Sequence, residues 1–364
     1  MNEDKLHAWL CLKSAPGLGL KAAQRLLEAY PDPQDYVGIS THEVYQSDLI
    51  PAKARDALRN GELALPMAQI KNLINNYRIK YTCLTDADYP RQLAEIFSPP
   101  LILYYRGDLF PALDAPCLGV VGTRKPSSYG REMTAKLLRP ACNKGTTIVS
   151  GLAMGIDTVA HQTALECGTR TIAVLAGGLE SVYPLMNRNL AHEIIENGAL
   201  VSEYEPGAKL EKWNFPARNR LISALAKAVF IAEGALTSGA LLTGKFALEQ
   251  GKDILALPGN INHQNAQGPN YMIKTGAYAV TCPEDILEKL ELDAEPELQM
   301  QIFPEFSVEE EAVYNRMREE SQEMGFDELL IATGHGFGRL SVIMLNLELK
   351  GLVAKSGNGA YLIK

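Results

Sequence analysis

Four stretches in the middle of the chain join glycine, hydroxyl and basic side chains in a pattern suited to holding anions. The first is Val120-Val121-Gly122-Thr123-Arg124-Lys125-Pro126-Ser127-Ser128-Tyr129-Gly130, an apolar run ended by a glycine, two cations and a pair of serines. Arg124 can present a planar fork to a phosphate, and Ser127 or Ser128 can cap a following helix. Ser150-Gly151-Leu152-Ala153-Met154-Gly155-Ile156-Asp157 repeats the plan, and Thr237-Ser238-Gly239-Ala240 opens a third helix. Helix N-termini converging on one sheet edge offer unpaired N–H groups to an anion. The fourth stretch, Phe215-Pro216-Ala217-Arg218-Asn219-Arg220-Leu221-Ile222-Ser223, sets two arginines about an asparagine just after Trp213. It is expected to be a short cationic loop, with guanidinium on phosphate and rings on bases. One arginine is expected to serve the ligand and one to pair with Glu203 or Glu233.

Other chemistry is poorly represented. No G-x-G-x-x-G joins a strand to a helix, and no G-x-x-x-x-G-K-[ST] occurs, so neither common nucleotide-cofactor loop is present. Asp157 and His161 stand four apart on one predicted helix, a spacing that suits a cap plus a hydrogen-bonded side chain better than a metal or proton-transfer pair. The other histidines are scattered, and no G-x-S-x-G elbow is found. The six cysteines form no C-x-x-C pair and read as core residues of a reducing compartment. No catalytic residue, metal or cofactor is expected.

The elements that must position these loops are legible from periodicity. The first ~75 residues read as helical. Within them Ala15-Pro16-Gly17-Leu18-Gly19, followed by Ala22-Ala23 and Leu26-Leu27, resembles the hairpins of the helix-hairpin-helix and SAM-like families. From about Thr82, apolar runs alternate with helical stretches. The strands are expected at Leu101–Tyr105, Leu118–Gly122, Thr147–Ser150, Thr171–Leu175, Leu200–Glu203, Val229–Ala232 and Ile254–Leu257. Continuous apolar strands alternating with helices imply a parallel sheet covered on both faces, a Rossmann-like plan with ligands at the strands' carboxyl ends. Three further helices and a small hairpin about Gly357-Asn358-Gly359 follow the winged-helix plan. The expected organisation is thus a helical SAM-like domain over 1–75, an extended Rossmann-like α/β domain over 82–285, an acidic linker over 286–304 and a winged helix over 305–364.

Charge is distributed unevenly over these parts. The 364 residues carry a net charge of −8, and a sequence pI near 5.4 speaks, taken whole, against a nucleic-acid partner. Residues 1–114 contribute −2, residues 115–280 contribute +4 and residues 281–364 contribute −10. In the last segment every acid but Glu348 lies between Glu284 and Glu328. The third helix of the terminal unit offers only Arg339 and Lys350, so protein contact is favoured there over DNA contact. The apolar fraction of 46% supports a sizeable core. Neither a signal peptide nor an apolar run of membrane-spanning length is seen, and the chain reads as cytoplasmic.

Taken in order, the loops closely resemble those of the DprA/Smf family of DNA-processing proteins. The matching residues are Gly122-x-Arg124-x-x-Ser127-x-Tyr129-Gly130, Ser150-Gly151-x-Ala153-x-Gly155-Ile156-Asp157-x-x-Ala160-His161, and Tyr183-Pro184-x-x-Asn187. They continue with Ser202-Glu203-Tyr204-x-Pro206-Gly207, Phe215-Pro216-x-Arg218-Asn219-Arg220, Ser238-Gly239-Ala240-Leu241-x-Thr243, Leu257-Pro258-Gly259 and Gly268-x-Asn270. That resemblance implies sequence-independent binding of single-stranded DNA, a homodimer through the Rossmann-like domain, and loading of the recombinase RecA during natural transformation. It implies DNA contact by Gly122, Arg124, Lys125, Ser127, Ser150, Gly151, Phe215, Arg218, Asn219, Arg220, Ser238 and Gly239. The alternative is a Rossmann-like phosphoribohydrolase or nucleotide-binding enzyme. That group's P-G-G-x-G-T-x-x-E loop is absent, the nearest stretch being Ala176-Gly177-Gly178-Leu179-Glu180.

Overall fold

Short apolar runs bounded by glycine become the strands of one sheet. The computed structural model describes residues 3–39, 41–292, 307–320, 323–350, 352–356 and 360–363. They fall into two units, Met1–Asp293 and Ala294–Lys364.

In the first unit the strands are β1 (Lys80–Cys83), β2 (Ile102–Gly107), β3 (Cys117–Val121), β4 (Thr147–Ser150), β5 (Thr171–Val174), β6 (Gly198–Ser202), β7 (Ala228–Ile231), β8 (Asp253–Ala256) and β9 (Tyr278–Ala279). Their order across the sheet is β1-β2-β6-β5-β4-β3-β7-β8-β9. From β6 to β9 every neighbouring pair is parallel. The expected parallel sheet needs correction at one edge, where β2 runs antiparallel to β6 and β1 antiparallel to β2. β1 and β9 were not anticipated, because they are short edge strands with exposed positions and no continuous apolar run.

Helices α1 (Glu3–Ser14), α2 (Leu20–Ala29), α3 (Ala52–Asn60) and α4 (Met67–Tyr77) precede the sheet. The connections carry α5 (Arg91–Ala94), α6 (Leu109–Leu113), α7 (Ser128–Asn143), α8 (Ile156–Glu166), α9 (Arg188–Glu196), α10 (Asn214–Leu225), α11 (Gly239–Glu249), α12 (Gln267–Lys274) and α13 (Pro283–Leu290). Side chains alternate between the faces, as the period of a strand requires. Leu118 and Val120 of β3 pack with Leu137, Ala160 and Leu287 of α7, α8 and α13. Cys117 and Val121 pack on the other face, where Leu221, Leu241 and Met272 of α10, α11 and α12 lie. The helices of 1–75 share their core with the sheet, since Leu6, Trp9 and Leu26 cluster with Leu175, Ile194 and Leu200. α13 runs past the expected domain end at 285.

The stretch read as a cationic loop, Phe215–Ser223, is helical and lies inside α10. Arg218, Leu221, Ile222 and Leu225 are buried at i, i+3, i+4 and i+7, so one face is committed to the core. Pro216 sits in the first turn, where no intrahelical N–H bond is lost.

The second unit consists of α14 (Val308–Glu320), β10 (Glu323–Met324), α15 (Phe326–Thr333), α16 (Phe337–Leu349), β11 (Val353–Lys355) and β12 (Tyr361–Ile363). Its strands pair antiparallel in the order β10-β12-β11, over a core of Val313, Leu329, Leu340 and Met344. Most of the expected linker and the Gly357–Gly359 turn lie outside the described residues. No described helix is long and apolar enough to cross a membrane.

The joint between β2 and β6 depends on a single glycine. Gly107 stands opposite Ala199 with φ +96°, and a Cβ there would lie 2.3 Å from the Gly198 carbonyl oxygen. Gly107→Ala is therefore expected to destabilise the first unit by about 2 kcal/mol. A urea midpoint equal to wild type would refute this account of the edge.

Candidate nucleic-acid interface

Chain order turns back on itself between β3 and β7: β4, β5 and β6 extend to one side of β3, β7 and β8 to the other. Such a switch point opens a crevice beyond the carboxyl ends of the strands. A cavity of about 580 Å³ lies there. Its wall is formed by Gly122, Arg124 and Lys125 after β3, by Phe215, Arg218 and Asn219 of α10, and by Thr237, Ser238 and Gly239 at the start of α11.

The loop after β3 is held by contacts from distant segments. Thr123 N–H donates to the Glu233 carbonyl at 2.6 Å, and Ile156 N–H donates to the Thr123 carbonyl at 3.2 Å. Gly122 must lack a side chain, because a Cβ would stand 2.5 Å from Ile156 Cγ1. The buried Glu233 carboxylate accepts from Ser127 N–H at 2.8 Å and from Ser127 Oγ at 2.6 Å, while Ser127 Oγ accepts from Gly130 N–H at 3.0 Å. Asn265 Nδ2 donates to the Lys125 carbonyl at 3.0 Å. Arg124 and Lys125 are left as exposed cations on a fixed backbone, and neither enters an ion pair among the described residues. The Arg124 guanidinium carbon stands 5.6 Å from the centroid of the Phe215 ring.

Beneath the cavity the polar groups are used up internally. Arg218 is 4% exposed and donates through Nη1 to the Gly151 carbonyl at 2.8 Å and to the Val174 carbonyl, and through Nε to Asn219 Oδ1 at 3.2 Å. Asp157 Oδ2 accepts from Gly151 N–H at 3.1 Å and Ala153 N–H at 3.3 Å. Burial pushes the Asp157 carboxyl up to about 6, against the pull of Arg218 and these N–H groups. Burial also pulls the Arg218 guanidinium down to about 10, so it stays charged at neutral pH. Ser150 Oγ donates to the Val120 carbonyl at 2.6 Å and is buried. Gly151 lies against the Arg218 guanidinium, where a Cβ would come within 2.6 Å.

The structure therefore gathers Gly122, Arg124, Lys125, Phe215, Arg218, Asn219, Ser238 and Gly239 about one cavity and sets four others apart. Ser127 is the α7 cap on Glu233, and Ser150 and Gly151 lie under the floor. Arg220 turns away and bonds Glu203 Oε2 at 2.5 Å. His161 is a neutral core residue: Thr171 Oγ1 donates to the Ile148 carbonyl, leaving His161 Nδ1–H to donate to Thr171 Oγ1 at 2.7 Å. Burial pulls the imidazole down to about 3. Sequence reasoning named Glu233 only as a partner for an arginine, whereas it anchors Ser127 and Arg220 takes Glu203, and it missed Asn265; the only local signal for Glu233 is an acid directly after an apolar strand. Among the described residues no group of three or more His, Cys, Asp or Glu is placed to hold a metal.

Removing the guanidinium with Arg218→Met would leave Asp157 buried without its cation and two carbonyls without donors. The expected loss of stability is about 3–5 kcal/mol. Denaturant unfolding of that variant measures it, and a wild-type midpoint would show the floor to be dispensable.

Residues 80–291 match the family model described as DNA recombination-mediator protein A. The DNA processing protein DprA of Bacillus subtilis is 41% identical over 207 residues, which are 57% of this chain and 70% of that one. The X-ray structure of DprA from Streptococcus pneumoniae superposes with a TM-score of 0.69 at 31% identity, covering 81% of this chain and 99% of that one. DNA processing protein A from Helicobacter pylori, whose structure concerns its single-stranded DNA binding mode, gives a TM-score of 0.53 at 32% identity, over 58% of this chain and 96% of that one. With a family match over more than half its length and relatives of this identity, the chain belongs to the DNA recombination-mediator protein A family, the DprA/Smf proteins.

Proposed function

We propose that the switch-point cavity binds the backbone of single-stranded DNA without sequence preference. The observation that carries this reading is the pair of exposed, unpaired cations Arg124 and Lys125, held rigidly beside the half-buried Phe215 ring. A guanidinium and an ammonium meet phosphates, the ring offers a face to a base, and no base-edge reader is needed. The start of α11 adds N–H groups and the Thr237 hydroxyl. The single-strand binding described for the Helicobacter pylori relative supports the same assignment.

The phosphoribohydrolase alternative is less well supported. Glu180, in the stretch nearest that group's loop, accepts a hydrogen bond from Gly207 N–H at 3.0 Å and does not line the cavity. Asp157, which does line it, is occupied by backbone N–H groups and lies in the field of the buried Arg218.

Family membership further supports a homodimer formed through the Rossmann-like domain and delivery of the bound strand to RecA in natural transformation. We read residues 1–75 as SAM-like, with the hairpin at Gly17 (φ +77°), and 305–364 as a winged helix. In the latter, Arg339 pairs with Glu309 and Lys350 with Glu310, which favours protein over DNA as its partner.

Binding of single strand, duplex and mononucleotide across a salt series tests the central reading. Arg124→Ala is expected to weaken single-strand binding about tenfold and to lower the salt slope by about one unit or less. Arg220→Gln, altering an arginine already paired with Glu203, should leave the slope unchanged. An unaltered slope for Arg124→Ala, or tight mononucleotide binding with base release, would overturn the assignment. In sedimentation equilibrium the 39.8 kDa chain is expected at twice its mass, and a monomer at micromolar concentration would remove the dimer.

A further inference from the structure

We propose that a single strand leaving the cavity runs over an aromatic shelf formed by Tyr183 and Trp213, where its bases stack beyond the phosphate-binding residues. The inference rests on the single-strand reading of the cavity.

Two loops, 175–187 after β5 and 203–213 after β6, form one rim beside Phe215. Asn214 Nδ2 donates to the Ala176 carbonyl at 3.0 Å, Ser202 Oγ to the Gly177 carbonyl at 2.7 Å, and Gly207 N–H to Glu180 Oε1 at 3.0 Å. Gly177 admits Leu210 so closely that a Cβ there would stand 3.1 Å from Leu210 Cδ1. These ties fix the rim's backbone, so its rings are held in place before any ligand arrives.

The rim is continuous with the cavity through its rings. Phe215 lines the cavity under Arg124, and the Tyr183 ring meets Phe215 edge-on at 5.9 Å between centroids. Trp213, the N-cap residue of α10, lies two residues before Phe215 and is 69% exposed; Tyr183 is 52% exposed. Large rings left this open on a tied backbone form an apolar surface that a planar partner can cover.

The charges around them select the partner. Arg188, Lys209 and Lys212 are exposed on or directly after the same two loops, and none is in an ion pair among the described residues. The acids on the two loops are Glu180, bonded to Gly207 N–H, Glu203 and Glu205, paired with Arg220 and Lys13, and the half-buried Glu211. Rings interleaved with free cations suit a strand that offers a base face and a phosphate at every step. A protein interface is commonly depleted in lysine, which makes a second polypeptide the poorer fit.

Fluorescence provides a direct test, because the chain has two tryptophans and Trp9 is fully buried. Wild type is titrated with a trinucleotide of thymidine and with a fifteen-nucleotide oligothymidylate, following tryptophan emission and the anisotropy of a dye-labelled strand. The long strand is expected to quench the Trp213 emission. Trp213→Phe should lose that quenching and hold the long strand to within about twofold, whereas Trp213→Ala with Tyr183→Ala should weaken it about tenfold and leave the trinucleotide unaffected. Long-strand binding without quenching, and with full affinity in the double variant, overturns the shelf and leaves the cavity reading intact. A double variant that keeps its DNA affinity but changes oligomeric state overturns it in favour of a protein contact. Failure of wild type to bind either strand overturns the cavity reading and the shelf together.

Discussion

The architecture of the switch-point crevice depends on one buried guanidinium. Arg218 reaches from α10 beneath the carboxyl ends of β4 and β5 and bonds carbonyls of Gly151 and Val174, beside a carboxylate that holds the Gly151 and Ala153 amides. Strand ends at a switch point leave backbone groups without ladder partners, and a buried carbonyl without a donor is costly. A guanidinium, with several fixed N–H groups, can satisfy two strands at once where an ammonium is a compact point charge. The helix carrying it also presents Phe215 and Asn219 to the cavity, so closing the floor and building the wall are one event.

A division of labour among the cations follows from this floor. Arg218 and Arg220 are consumed by carbonyls and by Glu203, whereas Arg124 and Lys125 remain free because Glu233 and Asn265 hold their loop through its backbone and Ser127. The net charge of −8 therefore says little about the site. Phosphate attraction is screened over roughly a Debye length, about 8–10 Å in physiological salt, so it responds to local cations and not to a sum over the whole chain. In the second unit both cations associated with α16 are neutralised by Glu309 and Glu310, and its surface stays acidic.

Much of the fold was legible because its signals are local. The buried strands β3, β5 and β7 are written as largely apolar runs and β4 as an apolar pair between hydroxyl side chains, and the glycines after them mark the turns where helices begin. The antiparallel β2 was less legible, since an apolar strand carries no mark of direction. The helical state of Phe215–Ser223 was hidden by Pro216 and by two arginines on what becomes a core-facing helix, which together imitate a loop.

The sequence by itself determined the α/β plan, the order of the loops and the residues available at each strand end, because periodicity and turn chemistry reach only a few positions along the chain. Only the tertiary structure decided which of those residues face the crevice. Arg218 meets partners 44 and 67 positions away, Arg220 meets one 17 away, and Ser127 meets Glu233 across 106. Whether a cation is free for a phosphate or bound to a carbonyl depends on what the sheet brings beside it, and strand order, which no local pattern encodes, controls that.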